Sequence, residues 1–249
     1  MTPSSIQECR DLTRDIARGI APPRFYTEHA GEIARAKEYA AQSRIVGMAE
    51  AVMREKGSAL GHGYEHAHNV AIDAAAIILC ETAQGRAEEA LGVLGADLAV
   101  LALAAGYLHD IRRDQREHPL RAAEFAREFF RDALPEAHVA MIAFAIRNHE
   151  AFKEQERTDD PATMLLANAL YDADKFRWGP DNFLYTIWDM AESLGFSPRT
   201  IFRHYRKGIE GIERVRHTFR TGTGRAYGPD FIERGLEIGR ELYQVCGEK

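Results

Sequence analysis

The sequence has little of what disulfide-stapled, membrane-spanning or polyanion-coating proteins need. Three cysteines, Cys9, Cys80 and Cys246, stand far apart in 249 residues with no CxxC pair. That excludes a disulfide framework and a zinc ribbon, and it suits a reducing cytoplasm. The longest apolar run, residues 98–108, is too short to span a bilayer, and the opening "MTPSSIQECRDLTRDIARG" lacks the apolar centre of a signal peptide. A cytoplasmic protein without membrane insertion is expected. Basic residues are outnumbered, 32 Lys and Arg against 38 Asp and Glu, so bulk charge does not equip the chain to bind a nucleic acid polymer. Alternating runs of β-branched residues are scarce, which leaves little from which to build a sheet.

What is present reads as helix. Hydrophobic residues make up 45% and charged residues 28%, enough for a globular core at this length. Stretches rich in Ala, Leu, Glu and Arg predict helices over residues 4–19, 27–56, 66–82, 87–109, 119–131, 135–149, 161–175, 183–194, 198–219 and 229–246. Breaks are expected at Pro22-Pro23, from Gly57 to Gly63, at Pro135, in "KEQERTDDP" and in "RTGTGRAYGP". None is a long linker. The expectation is therefore an all-α bundle in one domain: an N-terminal helical extension over 1–57, a core over 58–180 and C-terminal helices over 181–249 packed on it.

Chemistry concentrates at helix ends. In "AAGYLHDIRRDQREHP", residues 104–119, an apolar helix runs straight into His109-Asp110. Adjacent side chains on a helix diverge by about 100°, so the two can share a target only where the helix stops. A neutral imidazole beside a carboxylate suits a divalent metal of intermediate hardness, although a lone doublet at a helix end is more often a cap or ion pair. Other apolar helices end the same way, "IAFAIRNHEAF" at His149 and "LLANALYDADKF" at Asp172 and Asp174, and "LGHGYEHAHNV" sets His62 and His66 four apart on one face. Core packing requires none of this.

The ordered set resembles the HD-domain superfamily of metal-dependent phosphohydrolases: "GHGYEHAHNV" its first histidine, "AAGYLHDI" its doublet, "IRNHE" its distal histidine and "DADKF" its closing aspartate, over roughly residues 58–178. The resemblance implies an HD-type helical core with His66, His109, Asp110 and Asp174 as metal ligands. In members with two metals it implies two further histidines, with Asp110 bridging. His149 matches the second of these, and His118 is the candidate for the first, eight residues after Asp110 and closer to it than many such members place theirs. One or two divalent ions are implied, with Mn, Fe, Mg, Zn, Co and Ni not distinguished. Such an ion can bring the pKa of bound water down to about 7 and polarise a phosphoryl oxygen.

The expected activity is hydrolysis of a small phosphate ester, a nucleotide among the options, with Asp110, Asp114 and Lys175 as catalytic groups. Asp114 would orient the attacking water or a histidine, or else be a loop acid paired with a neighbouring arginine. Arg112, Arg113, Lys175 and Arg177 follow the ligands closely, where they would meet a phosphate or simply solvate helix ends. His62 is read as substrate-facing or as a histidine satisfied in its turn. His68 and His138 are read as structural, and Asp172 as a support for the ligand shell. "FRWGPDNF" is read as packing or as a wall over the cavity. Residues 199–225 carry eight Lys and Arg, read as the solvated face of an amphipathic helix. Two alternatives stay open: a di-iron oxygenase built on the same ligands, and a non-catalytic regulatory module whose metal staples helix ends. A homo-oligomer is compatible with all three.

Overall fold

The computed structural model describes residues 3–56, 61–83 and 95–246, and among them every regular element is helical. The helices are α1 (Ile6–Ala17), α2 (Phe25–Glu28), α3 (Ala30–Gln42), α4 (Arg44–Lys56), α5 (Tyr64–Thr82), α6 (Gly95–Leu108), α7 (His118–Phe130), α8 (Glu136–Arg147), α9 (Pro161–Phe176), α10 (Ile187–Ser193), α11 (Pro198–Val215) and α12 (Gly222–Cys246). A π-helical turn, Asn182–Thr186, leads into α10. The boundary expected near residue 57 and the expected helical start at residues 87–94 lie outside the described residues.

Local chemistry sets most helix starts. Ser5 accepts from the Glu8 amide, Asp160 accepts from the Ala162 and Thr163 amides with Pro161 next to it, and Ser197 with Pro198 repeats that pattern. A side-chain acceptor on an orphan amide, then a proline that needs no partner, is the chemistry of a helix N-terminus.

Tertiary packing sets the rest. α5 and α6 form the centre, because α5 from Val70 to Leu79 and most of α6 are apolar on nearly every side and can be covered only from all directions. They lie very close: a Cβ on Gly106 would run into Ala71, so only glycine permits this separation. α9 packs on α5 and α8, while α3 and α4 cover the far side. α1 packs on α12 and α10, and α12 on α9 and α11.

Three expected elements differ. The helix predicted over 27–56 is three pieces, broken at His29 and at Ser43, where the backbone is extended and the Ser43 hydroxyl accepts from the Val46 amide to start α4. The helix predicted over 183–194 opens with the π-helical turn instead of an α-helical one. The break predicted in "RTGTGRAYGP" is helical from Gly222, with Pro229 inside α12. Its glycines explain this, since a Cβ at Gly224 would strike Asp172 and one at Gly228 would strike the Phe219 ring. Close approach to the core outweighs the weak helical preference of that stretch.

Candidate metal centre

Five helices bring their ends to one point. His66 sits in the first turn of α5, His109 and Asp110 follow the last turn of α6, His118 opens α7, His149 follows α8, and Asp174 lies in the last turn of α9. His66 Nε2 is 3.2 Å from His109 Nε2 and 3.4 Å from Asp174 Oδ1, and His109 Nε2 is 3.8 Å from the same carboxylate oxygen. Asp110 divides its two oxygens. Oδ2 faces His62 Nδ1 at 2.9 Å, His109 Nε2 at 3.5 Å and His66 Nε2 at 3.9 Å. Oδ1 faces His118 Nε2 at 3.2 Å and His149 Nε2 at 3.4 Å.

The histidines are aimed by the helices they end. His109 Nδ1 lies 2.7 Å from the Gly106 carbonyl, and His149 Nδ1 lies 2.6 Å from the Ile146 carbonyl. A carbonyl can only accept, so each Nδ1 carries the proton and each Nε2 presents a lone pair to the cluster. Burial pushes His66 down and pushes His109 down to about 3, so both are neutral near pH 7. Burial alone would raise Asp110 and Asp174. The surrounding histidines outweigh it for Asp110, and Lys175 with His66 outweighs it for Asp174, so both carboxyls are held well below the usual range.

His118 reaches the cluster through a strained turn. The residue before it, Glu117, takes a left-handed conformation at φ 54° and ψ 38°, which turns the loop back on itself and starts α7 inside the site. Only glycine adopts that region freely.

The groups fit a divalent cation. Neutral imidazoles and ionised carboxylates are the right donors, and donor atoms around an ion bonded at about 2.1 Å lie roughly 3.0–3.5 Å from one another. The separations above cluster there. Asp110 Oδ1 is buried with no hydrogen bond of good geometry, although two imidazole nitrogens face it. An acceptor in that position calls for a cation. The buried His and Asp groups could therefore hold a metal ion.

A cavity of about 920 Å³ opens above the cluster. His62, His66, Asp110, His149 and Asp174 form its floor, and residues of the segment after α9, the π-helical turn, α10 and α11 form its wall. Lys175 reaches its floor, paired with Asp174 and 5.1 Å above the Tyr171 ring. Arg113 also lines it, donating to His118 Nε2 at 2.7 Å and standing 3.7 Å from Asp110 Oδ1.

Other expected site residues stand elsewhere. Arg112 points away, its guanidinium 4.8 Å over the Phe125 ring in a separate hollow. Asp114 is exposed on the loop and does not line the cavity, so the catalytic role expected of it has no geometric basis. Arg177 lines the cavity yet is committed to Asp73, Asp181 and the Tyr26 hydroxyl; burial works against its charge, and these three partners hold it. It is a scaffold residue. Asp172 turns from the cluster and accepts from the Arg220 and Thr221 amides, docking the start of α12. His68 is structural, bonded to Tyr107.

The wall was mostly invisible in the sequence. "FRWGPDNF" does supply Trp178, Asn182 and Phe183 to it. Ile201, Tyr205, Ile209 and Ile212 show a helical period on α11, and that pattern does not say which partner their face meets. The basic side of α11 faces outward, with Arg206 over Tyr243 and Arg214 over Phe152. A search of protein-family models, of curated proteins and of solved structures gives no match.

Proposed function

We propose that the chain is a metal-dependent phosphohydrolase of the HD-domain type, acting on a small phosphate ester through one or two divalent ions. The observation that carries this reading is the divided Asp110 carboxylate, with histidines facing each oxygen, which is how a carboxylate shared by two ions is flanked. His66, His109 and Asp174 would hold one ion, and His149 the other, joined by His118 once its Nε2 is freed from Arg113, with Asp110 serving both. The predominance of imidazole favours Mn, Fe, Co, Ni or Zn over Mg, which prefers oxygen ligands.

A divalent ion there supplies an acidified water and neutralises phosphoryl charge. The protein does the rest. Asp110 and Asp174, ionised and buried, keep the ligand set complete at neutral pH. Arg113 and Lys175 meet the phosphoryl oxygens at the cavity floor, Arg113 with the planar fork that suits two of them. His62, 2.9 Å from Asp110 and lining the cavity, is placed to take or return a proton at the reacting oxygen. The buried floor limits competing water.

The test is metal analysis of protein purified without added metal, paired with turnover of a broad phosphate-ester panel. Bound metal with metal-dependent phosphate release is expected. Bound metal with oxygen consumption and no phosphate release would transfer the site to the di-iron oxidation reading. Bound metal with neither activity would leave a metal that staples helix ends.

A further inference from the structure

We infer that the preferred substrate is a phosphomonoester whose alcohol part is a long apolar chain, seated along the wall formed by the π-helical turn, α10 and α11. This rests on the phosphohydrolase reading. Charge is confined to one end of the cavity. Among the described residues that line it, the cations are Arg113, Lys175 and Arg177, and Arg177 is consumed by Asp73 and Asp181. The other two, Lys175 beside Asp174 and Arg113 beside His118, are held at the cluster, and with the ions they suit one phosphoryl group and not a chain of them.

The wall offers the rest of a ligand mainly hydrocarbon. Phe183, Ile187, Ile201, Ile209 and Ile212 face the space. Amide, hydroxyl and imidazole groups occur there at Asn182, Thr186, Thr200 and His204. The lining carboxylates are Asp110 and Asp174, which belong to the cluster, and Glu150 next to His149, so none stands on the wall to hold a ribose diol. At about 920 Å³ the cavity is near the upper end of ligand pockets, and a phosphate alone would leave most of it unfilled.

The mouth points the same way. Phe152, Met190 and Phe196 line it while remaining 49%, 37% and 42% exposed. Phe152 is held at φ 60°, a left-handed conformation unfavourable for a bulky side chain, with the Arg214 guanidinium 4.6 Å over its ring. Strain and exposed apolar surface concentrated at one opening are features of ligand sites. An amphiphile would cover this rim with its chain and deliver its head to the floor.

The experiment uses the metal-loaded full chain with n-alkyl phosphates from ethyl to decyl, and in parallel the matching n-alkylphosphonates, whose C–P bond resists hydrolysis, as ligands in calorimetry. Both kcat/KM and phosphonate affinity should rise roughly fourfold per added methylene until the cavity is filled. Decyl phosphate should exceed adenosine monophosphate. Gly208 lines the space on α11 with no atom within 4 Å of where a Cβ would sit. Gly208→Leu, favourable for the helix, should lower the decyl-to-ethyl ratio in both series. Phosphonate affinity independent of chain length, or a preference for the nucleotide, overturns the inference. Chain-length-dependent phosphonate binding with no ester hydrolysed would keep the wall as an apolar-chain binding site, and would remove the phosphohydrolase reading and with it the substrate.

Discussion

On the floor of the cavity, side chains from five helix ends meet with donor atoms 2.9–3.9 Å apart, each aimed by a backbone carbonyl, a turn or a neighbouring charge. On the wall, aliphatic and aromatic groups from the π-helical turn, α10 and α11 enclose a space without converging on any atom. The floor tolerates little because ligation depends on direction and distance. The wall depends on area and volume, which many side chains can supply. Substitutions should therefore split the molecule into residues that carry chemistry, residues that hold the floor's geometry, and residues that select what enters.

The sharpest division comes from Asp110→Ala. It removes both oxygens that the histidines face, so bound metal should be lost and metal-dependent turnover should fall by on the order of a thousandfold or more. Far-ultraviolet helicity should persist, while the thermal stabilisation conferred by metal should vanish. Retained metal and turnover would remove the floor from the mechanism.

Arg113 and Arg177 line the same cavity and should behave oppositely. Arg177→Ala leaves Asp73 buried without its cation and should cost about 3–5 kcal/mol in denaturant unfolding. Arg113→Ala should alter stability by less than about 0.5 kcal/mol and lower turnover by roughly 10–100-fold. A stable Arg177→Ala protein with impaired turnover would transfer that arginine from scaffold to substrate binding.

The same buried pair predicts a pH dependence. Burial, against the pull of Arg177, pushes the Asp73 carboxyl up to about 6 from an ordinary 3.8. Between those values the unfolded chain has released this proton and the folded chain has kept it. Its contribution to stability is thus complete below about pH 4 and lost as pH rises through 6, a change of about 2–3 kcal/mol. Relative to Asp73→Asn, the natural protein should lose stability across that window, as measured by unfolding at a series of pH values. No relative change would mean that Arg177 keeps Asp73 ionised throughout.

Gly106→Ala probes the spacing beneath the floor. Its Cβ has no room against Ala71, so α5 and α6 must separate, at about 1–3 kcal/mol of stability and with weaker metal binding, because His66 and His109 stand on the two helices. The smallest effect belongs to Glu117→Gly. Removing the left-handed strain should raise stability by about 0.5 kcal/mol in thermal unfolding and leave the metal count unchanged. A lost metal would show that Glu117 does more than turn the chain.

Much of the floor was legible because its pattern is local. An apolar helix that ends in His109-Asp110, His149 or Asp174 declares in a few residues where it stops and what it presents. Capping serines and aspartates with following prolines declare where helices start. Residues near those motifs were harder to place. Arg112, Asp114 and Arg177 stand within four residues of the cluster, as Arg113 and Lys175 do, yet the first two point elsewhere and the third is taken by Asp73, more than a hundred residues away. Asp172 and Asp174 differ in role because α9 turns about 200° between them, and only the position of α12 shows what the first one meets.

By itself the sequence determined an all-helical chain, the ends of most helices and the residue types that gather at those ends, since each follows from hydrogen bonding and periodicity within a few turns. The tertiary structure decided which of those residues face one another, that Glu117 adopts a left-handed turn to bring His118 inside, that Pro229 lies within a helix, and that an apolar wall stands over the His/Asp cluster. These depend on contacts between segments distant in the chain, where packing and burial outweigh local preference.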